Sequence, residues 1–338
     1  MTEKSVKFSI LDLSPVLEGE DVKQALDRSV SLAKTGESLG YERFWMAEHH
    51  GMKGIASAAT AVALAHVGAG TKTIRIGAGG IMLPNHAPMI IAEQFGTLDA
   101  LFPGRVDLGL GRAPGSDQLV AQAMRRNLNT DPNQFPRDVL ELQALLQGDD
   151  RLPIQATPGS GSNIPLYILG SSLFGAQLAA ALGLPYAFAS HFAPQALDDA
   201  LAIYRRDFKP SEQLSKPYAI CAFNIFAADN DNEAEILATS MMQSFVALRT
   251  GNPGKMQPPV EGFRASLPPQ AQAMLAQTME CSAIGGPSKV LREVTNFLDR
   301  TQADELIING SIFDQSARER SFEIAAEVRD IISLKQNG

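Results

Sequence analysis

Apolar runs of strand length alternate along this chain with longer segments whose apolar positions recur at helical spacing. That alternation is the pattern of successive βα units around a parallel sheet. The strand-like runs fall at 6–11, 43–46, 74–78, 105–108, 166–169, 186–189, 218–226 and 305–308. Helical periodicity follows at 21–39, 56–70, 88–101, 136–146, 172–182, 194–208, 232–249 and 316–334. Eight such units, running from near the first residue to near the last, predict an α/β protein whose strands close into a (β/α)8 TIM barrel, one domain over 1–338. A barrel needs roughly 250 residues, so the excess belongs in insertions: 111–134 after strand four, 148–165 before strand five, and 251–269 after the seventh unit. Glycine and proline crowd the last of these, and the segment 251–270 is expected to be a mobile lid over the barrel mouth.

Charge removes several classes of partner. Lys and Arg number 29 against 37 Asp and Glu, for a net charge of -8, and no dense basic run is present. Polyanion binding is therefore not expected, and nucleic acid is excluded as a partner. No apolar stretch reaches the roughly 18 residues that would span a bilayer, so no membrane partner is expected, and the N-terminus lacks the apolar core of a signal peptide. Cys221 and Cys281 are too few for a disulfide framework. A cytoplasmic setting fits these features.

A barrel also says where chemistry belongs, at the C-terminal ends of its strands. Four of the five histidines follow predicted strands: His49 and His50 the second, His86 the third and His191 the sixth, whereas His66 falls inside a helix. Imidazoles on one rim raise a metal-dependent barrel hydrolase. Such an enzyme should carry His-x-His after strand one and an Asp after strand eight. Leu11-Asp12-Leu13 and Asn309-Gly310-Ser311 stand there instead, and no metal is expected.

Anion signals are better. Leu169-Gly170-Ser171-Ser172 opens a helix after strand five, offering backbone N–H groups, two hydroxyls and a positive helix end. Plain serine capping explains the same residues. The neighbouring strand four runs into Gly111-Arg112-Ala113-Pro114-Gly115, which adds a guanidinium on the same side. Gly79 and Gly80 at the end of strand three would let a flat ligand approach the backbone, and Ile81-Met82-Leu83-Pro84 would supply an apolar wall. A Gly-x-Gly-x-x-Gly fingerprint after the first strand and a P-loop lysine are both missing, which disfavours dinucleotide and triphosphate sites. These parts suit a planar, phosphorylated ligand.

Three stretches then acquire a common meaning: Trp45-Met46-Ala47-Glu48-His49-His50, Gly79-Gly80-Ile81-Met82-Leu83-Pro84, and Gly104-Arg105-Val106-Asp107 through Gly111-Arg112. Together they resemble the bacterial luciferase-like flavin-dependent monooxygenases, over about residues 5–192, and look most like alkanal-monooxygenase-like members of unassigned substrate. The resemblance implies a homodimeric barrel that binds reduced FMN supplied by a separate reductase, forms a flavin hydroperoxide with molecular oxygen and oxygenates a small organic substrate, an aldehyde being one candidate. It implies that His49 is the catalytic histidine, and that a non-prolyl cis peptide joins Gly79 to Gly80 beneath the flavin ring. It further implies that Arg112, Arg137, Leu169, Gly170, Ser171 and Ser172 bind the cofactor. Ser171 stands where the family has an acidic residue and Gly175 where it has a threonine. Phe8, Asp12, Trp45 and His191 are candidates to line the substrate pocket. A deazaflavin- or flavin-dependent reductase, a flavin-storing protein and a barrel without turnover are the alternatives on this fold.

Overall fold

A computed structural model describes residues 6–112, 118–124, 134–149 and 151–336. Within them run nine strands, β1 (Lys7–Asp12), β2 (Arg43–Met46), β3 (Arg75–Met82), β4 (Val106–Gly111), β5 (Leu166–Gly170), β6 (Tyr186–Phe188), β7 (Ala219–Ala227), β8 (Ser282–Gly285) and β9 (Glu305–Asn309). The helices between them are α1 (Val22–Ser38), α2 (Thr60–Gly70), α3 (Pro88–Leu101), α4 (Gln118–Ala123), α5 (Gln134–Gln147), α6 (Leu173–Leu182) and α7 (Leu197–Asp207). After β7 come α8 (Asp231–Arg249), α9 (Phe263–Ser266), α10 (Pro269–Thr278), α11 (Pro287–Thr301) and α12 (Gln315–Gln336).

Strands β1 to β7 and β9 each pair in parallel with two neighbours around the ring, β7 also taking β8, and the β7–β9 and β9–β1 pairs close it. The barrel expectation holds, and local chemistry shows why the elements begin where they do. Asp21 caps α1 by accepting from the Gln24 N–H at 2.8 Å while the Gln24 side chain accepts from the Asp21 N–H, a reciprocal cap worth about 1 kcal/mol.

The region after β7 departs from the sequence reading. Residues 271–304 hold no assigned element in that reading, yet they form most of α10, all of β8 and all of α11. Strand β6 pairs with β7 only over Ala219–Cys221, and β8 takes the same edge further along, at Asn224–Ala227. A short β6 thus leaves backbone groups that the insertion satisfies. The stretch 251–262 holds no helix and is fastened: the Met256 N–H donates to the Val16 carbonyl at 2.9 Å, its carbonyl accepts from the Glu18 N–H, and Lys255 Nζ reaches the Glu20 carbonyl. It therefore lies against the loop that leaves the C-terminal end of β1.

Alternation along the strands divides the interior into layers. Leu11, Trp45, Ala47, Tyr167, Ala187, Ile220, Ala222 and Ile307 form an apolar layer inside the barrel. The intervening residues, such as Ile10, Phe44, Ile76 and Phe223, pack outward against the helices. Beneath the apolar layer, at the strands' N-terminal ends, the filling is ionic. Arg43 bonds Glu305 at 2.8 and 3.0 Å, Asp107 at 2.7 Å and the Tyr167 hydroxyl at 2.8 Å. Asp107 also accepts from Trp45 Nε1 at 3.1 Å and Arg75 Nε at 3.0 Å, and Glu305 accepts from Ser9 and, at 2.7 Å, from the Tyr218 hydroxyl. Burial alone would lower the Arg43 pKa; Glu305 and Asp107 overcome it and hold the guanidinium well above its ordinary value.

Two pocket-lining expectations fail here. Phe8 shares the outward phase of Ile10 and belongs to the strand–helix core. Asp12, in the same phase, is buried in an ion pair with Arg318 of α12 at 2.7 Å and accepts from Ser29 of α1. Both face helices rather than the barrel mouth.

Candidate active site

As the chain leaves β2, Glu48 is pinned to the end of β3. Its N–H donates to the Gly80 carbonyl at 3.2 Å, and its Oε2 accepts from the Met82 N–H at 3.0 Å. Its other oxygen, Oε1, lies 2.6 Å from His50 Nε2 and 2.8 Å from His86 Nε2. Burial would raise the Glu48 pKa, but the bonds from His86, His50 and Met82 win and hold it below the usual carboxylate value. An ionised carboxylate only accepts, so both rings carry their proton on Nε2. Among the described residues this is the His and carboxylate cluster compact enough to hold a cation, with the ligating atoms within 4.8 Å of one another. The separations from Oε1 are those of two hydrogen bonds, and Glu48 fixes both rings in orientation.

His49 faces a different environment. Burial lowers its pKa, Glu48 raises it and His50 lowers it, with a net fall below the ordinary value. Its charge also acts on His191, which is buried and whose pKa is pushed down to about 3, first by burial and then by His49. Both imidazoles are therefore neutral near neutral pH, and four histidines gather at one end of the barrel as the sequence pattern predicts. His66 lies apart on α2, near Asp27.

Beside them β3 carries two successive glycines. The Gly79–Gly80 peptide is cis, as expected. A Cβ on Gly80 would sit 2.6 Å from the Gly109 carbonyl oxygen, and one on Gly79 would come to 3.0 Å from Leu11 and from Trp45. Only glycine fits this approach of strands. Trp45 itself is fully buried in the apolar layer below, with Tyr167 edge-on at 4.9 Å. It forms the floor beneath Gly79 rather than a pocket wall.

The next strands bring the anion signals together. The Arg112 guanidinium, at the end of β4, stacks over the Phe174 ring of α6 at 4.2 Å. That contact carries the cation to the first turn of α6. Ser172 occupies the N-cap with extended backbone, yet its side chain makes no cap hydrogen bond. The capping explanation thus fails, and first-turn N–H groups lie beside exposed Ser171 and Ser172 with no side-chain cap. Leu169 and Gly170 complete β5 behind them, and the Gly175 Cα is 3.8 Å from where a Gly170 Cβ would be. Arg137 is exposed in the first turn of α5. Gly115 and the two residues before it lie outside the described residues.

The sequence reading missed Glu48 as the clamp of His50 and His86, and it missed two inward asparagines, Asn224 of β7 and Asn309 of β9, which stand in register with each other.

A family model described as luciferase-like monooxygenase matches residues 6–305. A protein of Escherichia coli (strain K12) named "Luciferase-like monooxygenase" is 50% identical over 331 residues, covering 98% of this chain and 99% of that one. The solved structure of apo-MsnO8 superposes with a TM-score of 0.85 at 32% identity, covering 96% of this chain and 98% of its own. At 15% identity the fold alone is shared with the oxygenating constituent of 3,6-diketocamphane monooxygenase from Pseudomonas putida, solved with FMN, at a TM-score of 0.70 covering 96% and 97%. The same holds for an F420-dependent secondary alcohol dehydrogenase solved with an F420-acetone adduct, also 15% identical, at a TM-score of 0.67 covering 96% and 99%.

Proposed function

The chain belongs to the luciferase-like monooxygenase family, and from that premise we propose that it is a reduced-FMN-dependent monooxygenase acting on a small organic molecule. Membership makes it an oxidoreductase, and neighbours of the same fold solved with FMN or with an F420 adduct support a flavin-type cofactor. The observation that carries a phosphate-bearing flavin is the Arg112 guanidinium stacked at the uncapped start of α6. A helix end with unsatisfied N–H groups and an adjacent arginine suits a phosphate.

Reduced FMN, when bound, supplies two electrons to oxygen, and that chemistry is the cofactor's own. In this reading Arg112, Arg137, Ser171, Ser172 and the first N–H groups of α6 hold its phosphate, with Leu169 and Gly170 behind. The cis Gly79–Gly80 peptide would support the flat ring, with no side chain at either position to hold it off. His49, neutral and desolvated, takes or returns a proton at the reacting end of the substrate, a role that gains from an imidazole able to change charge near working pH. Glu48 holds His50 and His86 fixed beside it. The fastened stretch 251–262 closes one side of the mouth and excludes water. The cofactor arrives reduced from a separate reductase in the cytoplasm. Val62 of α2 and Ile90 and Leu101 of α3, apolar and exposed on neighbouring helices, support a homodimer.

The test is to reduce the FMN-loaded protein anaerobically, admit oxygen and follow oxygen uptake with the visible spectrum. A monooxygenase passes through a bound species distinct from reduced and oxidised flavin. A complex that leaves oxygen untouched while reducing a substrate is a reductase, and that result defeats the proposal.

A further inference from the structure

Along β7 the side chains alternate between two environments. Cys221, Phe223 and Ile225 pack in the core against the helices, whereas Ile220 and Ala222 lie inside the barrel with Leu11 and Trp45. The same period turns Asn224 inward, one layer above Ala222 and toward the C-terminal end. It is fully buried. Its Nδ2 donates to the His191 carbonyl at 2.7 Å and to Ser282 Oγ at 3.1 Å, which fixes the amide plane. Its Oδ1 has no partner among the described residues, and neither does Nδ1 of the buried His191 beside it. A buried amide oxygen without a donor is costly and uncommon. In the closed ring β7 stands four strands from β3, so Asn224 faces Gly79 and Gly80 across the mouth.

We propose that Asn224 Oδ1, with the His191 imidazole beside it, is a substrate subsite that accepts a hydrogen bond from an N–H or O–H group. It rests on the reading that the flavin ring lies against β3, which leaves the β7 side of the mouth to the substrate. Asn224 already spends its donor on His191 and Ser282, so the free valence is an acceptor. That selects amides and alcohols over plain aldehydes and ketones, which bring no donor and would leave Oδ1 as it is. His191 adds a neutral ring nitrogen that can donate or accept according to tautomer.

The experiment first titrates wild type and N224L with FMN, because failure of wild type to bind it sinks the cofactor reading and not the subsite. Probe pairs then differ only in the donor: N-pentylacetamide against N-methyl-N-pentylacetamide, and hexanol against methyl pentyl ether. Binding is read by calorimetry on the protein without FMN and by the absorbance change of bound FMN with it. Wild type should favour the donor-bearing member of each pair by about tenfold, the discrimination expected of one neutral hydrogen bond. In N224L the two members should come within about twofold of each other. Should N224L fail to fold, N224A removes the same oxygen without adding bulk and should likewise bring the two members within about twofold. Absence of a preference in wild type, including equal failure of both members to bind at millimolar concentration, overturns the subsite, as does a preference that survives in N224L or N224A.

Discussion

At the N-terminal end of the barrel Arg43, Asp107, Glu305, Tyr167 and Tyr218 satisfy one another's hydrogen bonds. At the C-terminal end His191 Nδ1 and Asn224 Oδ1 have no partner among the described residues, and the Ser172 side chain caps nothing. Both ends are polar, so polarity does not separate them. Satisfaction does. A closed network rigidifies a fold and leaves nothing over for a ligand, whereas unsatisfied donors and acceptors are groups that a ligand can complete.

That contrast breaks first at the bottom. Glu305→Ala leaves the Arg43 guanidinium without its bidentate partner, and truncating one member of a buried pair typically costs about 3 to 5 kcal/mol. Chemical denaturation should show a loss of that size, while the fraction still folded binds FMN normally. A loss below about 1 kcal/mol would mean that the network is ornamental.

At the top the expected losses are in function. His49→Ala should keep the fold and lower turnover by about 100-fold or more, the usual worth of general acid or base help. Steady-state oxygen consumption checks it, and full turnover in that variant would remove His49 from the mechanism.

The desolvated histidines also tie the top to pH. His191 titrates near 3 when folded and near 6.5 when unfolded. Between those values the unfolded chain binds the extra proton, so stability rises with pH there and is fully present above 6.5. On acidification below 6.5 the protein should lose up to about 1.4 kcal/mol per pH unit for such a group. His49 is shifted in the same direction. Denaturation midpoints of His191→Phe measured from pH 7 to pH 5 should fall less steeply than those of wild type. Parallel slopes would show that His191 is not desolvated.

How much of this was legible depended on what each feature needed. Strand ends match the sequence reading to within one or two residues except at β3, which runs on to Met82, and β4, which runs on to Gly111. The glycine pair reads as a terminator, yet here it continues the strand because β4 lies too close for a Cβ. The unit at 271–304 was missed for two reasons. Ser282–Gly285 is only four residues long, and an eight-unit count was already complete without it. The signal was present in α11, where Val290, Val294, Phe297 and Leu298 recur at helical spacing and are buried. Rim histidines were legible because the barrel rule concerns position alone. Phe8 and Asp12 were misplaced because a strand buried on both faces shows no polar alternation to set its phase. Asn224 hid in the apolar run of β7, although a lone amide in such a run is itself a signal. Which imidazoles Glu48 grips depends on side-chain rotation, which spacing does not encode.

The central claim, that the open polar groups at the C-terminal end bind a flavin phosphate, is tested most directly by titrating wild type and Arg112→Ala anaerobically with reduced FMN and with reduced riboflavin. Wild type should prefer FMN, and the preference should shrink by about 10- to 150-fold in the variant, the value of one charge-assisted contact of about 1.5 to 3 kcal/mol. Affinity for reduced riboflavin should hardly change. An unaltered preference for FMN in Arg112→Ala would place the phosphate away from α6 and contradict the account.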